Sequence, residues 1–207
     1  MPAPGKFITL EGSEGVGKTS NLDAIRRELE ARGTEVVVTR EPGGTPLAED
    51  IRGLLLAVRE EAVAPLTETL LMFAARAQHV TSVVRPALEA GRWVLSDRFT
   101  DASRAYQGGG RGVDSAVIEA LAQMTHDGLE PDLTFYLDVG VDTAFARIRD
   151  RDHDRFEREQ GEFFERVRSA YLALAKVHGR FRVIDASQPL ATVESDILGA
   201  LREFLDR

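Results

Sequence analysis

The feature that most constrains this chain is the run Gly12-Ser13-Glu14-Gly15-Val16-Gly17-Lys18-Thr19, which follows the apolar segment Phe7 to Leu10 and precedes Leu22, Ile25 and Leu29 at helical spacing. A buried strand that feeds a glycine-rich turn and then a helix aims backbone N–H groups at one point, and the helix dipole adds to the attraction for an anion there. Gly12, Ser13, Glu14, Gly15, Val16, Gly17, Lys18 and Thr19 are therefore the candidates to hold the phosphates of a nucleoside triphosphate. In such a loop Lys18 reaches the terminal phosphates and Thr19 offers its hydroxyl to Mg2+.

The same alternation runs to the end of the chain. Glu35 to Thr39, Trp93 to Leu95, Leu133 to Leu137 and Phe181 to Ile184 read as further buried strands. Helix patterns lie between them. Gly33 stops the first, the stretch from Thr67 to Ala90 reads as one kinked helix or two because of Pro86, Val117 to Met124 precedes Gly128, and Phe164 to Leu174 precedes Gly179. The last carries Val193, Ile197, Leu201 and Leu205 on one stripe. Strand–helix alternation predicts an α/β fold with a mostly parallel sheet and helices on both faces, and ligands then gather at the carboxyl ends of the strands.

Composition narrows the chemistry. The chain has 207 residues, enough for one domain with its own core, and no cysteine, which excludes disulfides, thiolate nucleophiles and thiolate-bound zinc. Histidines 79, 126, 153 and 178 form no close pair at metal spacing. A net charge of −8 argues against a surface that coats nucleic acid, so the expected partner is a small molecule. No apolar run approaches the length of a membrane span, and the start MPAPGKFITL does not have the form of a signal peptide, so a cytoplasmic protein is expected.

A triphosphate loop does not say what is done with the triphosphate. A second acid is expected at another strand end, and Trp93-Val94-Leu95-Ser96-Asp97 supplies Asp97 as a candidate for the Mg2+ shell, with Arg98 beside it for phosphate. A GTPase switch is disfavoured, since its guanine-reading Asn/Thr-Lys-x-Asp segment is absent: Asn21 is the only asparagine and precedes Leu22, and no lysine follows a threonine. A phosphotransferase needs a second anion pocket and a lid. Candidates are Arg40-Glu41-Pro42-Gly43-Gly44-Thr45 with Arg52, the segment Ser103 to Gly112, and the polar stretch Arg147 to Gln160, which also reads as a solvated, salt-bridged helix face.

Taken together, FITLEGSEGVGKTS, TREPGGTPLAEDIR, LLMFAARAQHV, SDRFTDASRAYQGGGRG, PDLTFYLDV and DRFERE resemble thymidylate kinase over nearly the whole chain. The resemblance implies a single P-loop nucleoside monophosphate kinase domain over 1–207, with a five-stranded parallel sheet, a lid at about 147–160 and a homodimer. It also implies transfer of the γ-phosphoryl group of ATP to thymidine monophosphate (TMP), with Mg2+. Another nucleoside monophosphate or small-molecule kinase is the alternative. Carried over by residue, Lys18 and Arg98 would be catalytic, and Arg98 with Arg52 would grip the acceptor phosphate. Glu14 would meet the sugar 3′-hydroxyl, and Glu41 and Pro42 would line the acceptor site. Tyr106 would pack on the deoxyribose, while Arg76, Ser103 and Gln107 would read the thymine edge. Ser13 to Val16 contain no arginine, so the catalytic cation is expected from the lid, as Arg149 or Arg151. The family's base-stacking phenylalanine falls at Met72, with Phe73 next to it: either Met72 packs on the base through its polarizable thioether or Phe73 swings in to stack, and the expectation leans to Phe73 as the aromatic wall.

Overall fold

In the computed structural model the described residues are 5–148 and 154–206. The strands β1 (Phe7–Glu11), β2 (Val36–Arg40), β3 (Trp93–Asp97), β4 (Leu133–Asp138) and β5 (Phe181–Asp185) form one parallel sheet in the order β2-β3-β1-β4-β5. β1 is buried along its whole length, as a central strand of a sheet covered on both faces must be. The edge strand β2 keeps an alternating, half-exposed pattern.

The sheet is sandwiched because odd and even strand residues face different helices. Ile8, Leu10, Leu95, Phe135 and Leu137 pack with Leu22, Ile25 and Leu29 of α1 (Lys18–Ala31) and Val193, Ile197 and Leu201 of α9 (Leu190–Leu205). Phe7, Val94 and Phe99 meet Val80, Val84 and Ala87 on the opposite face. Tyr136 and Phe181 there pack on Phe164, Val167 and Tyr171 of α8 (Gly161–Val177). Each fully buried large apolar side chain contributes about 1.5–3 kcal/mol relative to exposure, so these layers fix the strand ends on which the site is built.

Helix α2 (Pro46–Leu56) starts where Thr45 caps it, Oγ1 accepting from the Ala48 N–H, with Pro46 in the first turn. It packs on α3 (Pro65–His79). The interruption expected at Pro86 takes the form of a π-helical turn, Val80–Val84, leading into α4 (Arg85–Glu89). Pro86 has no N–H to return to the preceding turn and its ring crowds that turn, so the helix widens just before it rather than breaking. A second π-helical segment, Arg104–Gly110, follows the short α5 (Thr100–Ser103) and is closed by the Arg111 N–H donating to Tyr106 O at 2.9 Å. Helices α6 (Ser115–His126) and α7 (Val141–Ile148) complete the described elements, among which no helix is long and apolar enough to cross a membrane.

Candidate active site

The order of the sheet places β1 between β3 and β4, the point where successive connections leave in opposite directions and where parallel sheets open a crevice. Register brings Leu10 opposite Asp97, and the Arg98 N–H then donates to Leu10 O at 3.0 Å. The triphosphate loop and Arg98 are therefore neighbours because of strand pairing, before any side chain is considered. Gly15 and Gly17 have φ of 76° and 86°, which side chains other than glycine adopt only with strain, and a Cβ on Gly15 would come within 2.9 Å of Ala144 O.

Lys18 is buried, and its Nζ donates to Ser13 O at 2.8 Å and Gly12 O at 3.2 Å, with Glu14 Oε2 at 3.8 Å. Burial, and after it Arg98, pulls the Lys18 pKa below the usual lysine range. Arg98 has φ 70° and is held there by Ser96 Oγ donating to its carbonyl at 2.7 Å. Its Nη2 donates to Glu14 Oε1 at 2.6 Å and to Gly12 O at 3.1 Å, and its guanidinium lies 5.4 Å from the Tyr106 ring centroid. Burial pushes the Tyr106 hydroxyl up to about 12.

Arg52 faces the same cleft from α2, its Nη1 donating to Pro42 O at 3.0 Å. Burial, then the neighbouring cations Arg40 and Arg98, pulls the Arg52 guanidinium below the ordinary arginine range. A partly buried cation set beside two others suits a place built for an anion. Glu14, Pro42 and Tyr106 line the cleft along with Arg52 and Arg98.

At its far end lie the residues expected to meet a base. Arg76 is 3% exposed, donating through Nε to Glu41 Oε2 at 2.7 Å and through Nη2 to Ser103 Oγ at 3.0 Å, while its Nη1 has no hydrogen-bond partner among the described residues. Glu41 also meets His79 Nδ1 at 2.8 Å. Two cationic or donor neighbours outweigh burial and keep its carboxyl below the usual range. Glu41 thus touches Arg76 rather than standing free in the cleft it lines. Ser103 and Gln107 line the cleft as expected, Gln107 donating through Nε2 to Glu68 Oε1 at 2.9 Å.

The expectation that Phe73 forms the aromatic wall is overturned. Met72 lines the cleft, whereas Phe73 is 1% exposed and packs with Ile118 and Ala122, its ring 4.5 Å from the Arg76 guanidinium. One residue along a helix turns the side chain by about 100°, so the two cannot share a face, and the interior claimed the aromatic ring. Phe73 supports Arg76 from behind.

Asp97 and Thr19 line one cavity on the β2 side of the loop, and Asp97 Oδ1 is buried with no hydrogen-bond partner among the described residues. A buried carboxylate oxygen without a donor beside a loop hydroxyl fits a cation and its water shell. Arg149 and Arg151 lie outside the described residues. Of the expected lid, Arg147 donates to Ala186 O at 2.9 Å. Residues 154–159 form no solvated helix face: Asp154 Oδ1 accepts from the Phe156 N–H at 2.8 Å, Phe156 is buried, and Arg155 meets Glu68 Oε2 at 2.8 Å.

Sequence reasoning passed over Glu68, which is fully buried, and Glu11, which accepts from the Phe99 N–H at 2.8 Å and from the Tyr171 hydroxyl at 2.7 Å. Glu68, Met72 and Arg76 recur at four-residue spacing on α3, a stripe that carries the signal.

A glycine-rich loop that opens a helix, joined through Arg98 to a cleft lined by Arg52, is the architecture of a P-loop kinase, which moves a phosphoryl group between small phosphorylated molecules. A family model described as thymidylate kinase matches residues 10–197. Curated thymidylate kinases of Methylobacillus flagellatus (54% identical, covering 97% of this chain and 98% of the relative) and Methylococcus capsulatus (55%, covering 94% and 93%) are similar throughout. That of Pseudomonas syringae pv. tomato is 52% identical, covering 98% and 97%. The chain belongs to the thymidylate kinase family.

Proposed function

We infer that this protein transfers the γ-phosphoryl group of ATP to TMP, giving ADP and thymidine diphosphate, with the residues named above in the following roles. The observation that carries the assignment is Arg98. One guanidinium touches the phosphate loop at Gly12 O and also lines the acceptor cleft, so it lies where donor and acceptor phosphates meet.

The acceptor brings its own nucleophile. A phosphate monoester has a second pKa near about 6 and is mostly dianionic at neutral pH, so no side chain needs to take a proton. An oxygen of the TMP phosphate bonds to the γ-phosphorus as the bond to the β–γ bridging oxygen breaks, and ADP leaves with that oxygen. The protein's task is to hold two repelling anions in line and to neutralise the charge that spreads over the transferred group. Lys18 and the loop N–H groups from Gly12 to Thr19 take the donor, Arg52 and Arg98 take the acceptor, and Arg149 or Arg151 supplies the further cation. Thr19 and Asp97 would hold Mg2+, which when bound would neutralise charge on the donor phosphates.

For the nucleoside, Tyr106 packs on the deoxyribose, Glu14 meets its 3′-hydroxyl, Met72 packs on the base through a polarizable thioether, and Arg76, Ser103 and Gln107 address the base edge. The segment 147–160 acts as the lid of a single domain, excluding water that would otherwise take the phosphoryl group. Two copies pair through α2 and α3, where Leu47, Leu54, Leu66 and Leu70 are each about half exposed at helical spacing. The protein acts in the cytoplasm, where both nucleotides are at hand.

A coupled assay of ADP release with ATP and the monophosphates of thymidine, uridine, cytidine, adenosine and guanosine tests the reading. TMP is expected to be the preferred acceptor. ATP consumption indifferent to the acceptor contradicts it.

A further inference from the structure

Glu68 has no place in the phosphoryl transfer, yet its carboxylate engages three side chains beside the cleft. It sits on α3 one turn before Met72 and two before Arg76, and its residue is 0% exposed. Its oxygens receive Gln107 Nε2 at 2.9 Å, Arg111 Nε at 3.3 and 3.2 Å, and Arg155 Nη1 at 2.8 Å. These donors come from the π-helical segment, from the turn after it, and from the segment that begins at Asp154. The two guanidiniums compensate a carboxylate that would be costly to bury alone.

Gln107 is the only uncharged member of that group, and it is also the one that lines the cleft. A glutamine amide has two ends of nearly equal shape and opposite polarity, so its direction is set by its partners. A carboxylate flanked by guanidiniums accepts and does not donate. It therefore holds the amide NH2, which leaves Oε1 as the end available to the cleft. Thymine carries an N–H at position 3 and cytosine carries a lone pair there, with an amino group beside it. An acceptor at this place bonds the first and opposes the second.

We propose that Glu68 is a specificity-determining positioning residue: by fixing the direction of the Gln107 amide it makes the cleft take a pyrimidine with N–H at position 3 and refuse cytosine. This rests on the reading of Gln107 as a base-facing group. A site whose buried polar group is left facing a like partner discriminates far more strongly than one that merely lacks a methyl group, and that discrimination is lost when the polar group is free to turn.

The test measures kcat/KM for TMP and for deoxycytidine monophosphate in the wild type, Glu68→Gln, Glu68→Asp and Gln107→Ala. Glu68→Gln, which can donate as well as accept, is expected to lower the TMP-to-dCMP ratio by about tenfold or more, with the KM for ATP within about threefold of wild type. Glu68→Asp keeps an acceptor-only partner and is expected to keep the ratio even where both rates fall. Parallel loss with both acceptors in Glu68→Gln, at an unchanged ratio, would make the residue structural and overturn the proposal. If Gln107→Ala leaves the ratio unchanged, the base-facing reading fails first. If Gln107→Ala collapses the ratio and Glu68→Gln does not, the Glu68 proposal fails alone. Should Glu68→Gln not fold, the exchange Glu68→Gln/Gln107→Glu, which again presents an acceptor to the cleft, decides: a ratio near wild type supports the proposal and a collapsed ratio contradicts it.

Discussion

Nη2 of Arg98 lies 2.6 Å from Oε1 of Glu14, a carboxylate supplied by the phosphate loop itself. Glu14 also stands 3.8 Å from Lys18 Nζ, so one acid balances the cations assigned to opposite phosphates. The loop and the acceptor cleft are thus electrically one site. A phosphate arriving at either end competes with Glu14 for a guanidinium or an ammonium already aimed at it.

Lys18→Ala is expected to reduce kcat on the order of a thousandfold or more without lowering the melting temperature. Lys18 is a desolvated cation whose hydrogen bonds go to two backbone carbonyls, so its removal relieves burial while it removes charge from the transferred group. Steady-state kinetics beside a thermal melt checks both halves, and near-normal turnover would refute the role.

Met72 and Phe73 separate packing from binding. Phe73→Ala opens a cavity against Ile118 and Ala122 and is expected to cost about 3–5 kcal/mol of stability. Met72→Ala, at the cleft, is expected to raise the KM for TMP several-fold with a much smaller stability loss. Denaturant unfolding with paired KM measurements tells the two apart, and the reverse pattern would restore Phe73 to the cleft.

Glu41→Ala removes the carboxylate between Arg76 and His79, both buried. Leaving the Arg76 charge without its partner is expected to destabilise the fold by about 3–5 kcal/mol and to raise the KM for TMP. A variant as stable as wild type, measured by urea unfolding, would show that the pair contributes nothing net.

Burial, and after it the nearby Asp101, pushes Glu11 up to about 8 despite the hydrogen bond from Tyr171. The folded protein then binds a proton at Glu11 over pH values where the unfolded chain, with an ordinary value of 4.5, has released it. This contribution to stability is full below about 4.5 and is lost as pH rises towards 8. Buried His126, lowered to about 4 chiefly by burial, works the other way, adding stability as pH rises from there towards 6.5. Glu11→Gln is expected to flatten the decline in melting temperature between about pH 6 and 8 while leaving the acid side as it was. An unaltered melting profile would contradict the assignment.

Local chemistry made much of this molecule legible. Glycines at 12, 15 and 17 before Lys18, and apolar runs ending in Asp97 and Arg98, announce a parallel sheet with its site at the strand ends, and all five strands fall where the runs lie. What stayed hidden depends on rotation and burial. The aromatic character of Phe73 suggested a wall, but the turn of α3 gives that face to Met72. Arg155 and Phe156 sit in a charge-rich stretch that suggests a solvated face, yet Glu68, far earlier in the chain, draws Arg155 inward. Such a partner has no sequence signal until Glu68, Met72 and Arg76 are seen to share one stripe.

The central claim is that donor and acceptor phosphates lie in one cleft, end to end, between Lys18 and Arg52 with Arg98 at the join. Calorimetric binding of adenosine and thymidine linked 5′ to 5′ through a polyphosphate chain tests it most directly, measured beside ADP and TMP alone. The linked molecule is expected to bind at least about a hundredfold more tightly than either half, because its second half binds at high effective concentration. Affinity no greater than that of the tighter half would contradict the claim.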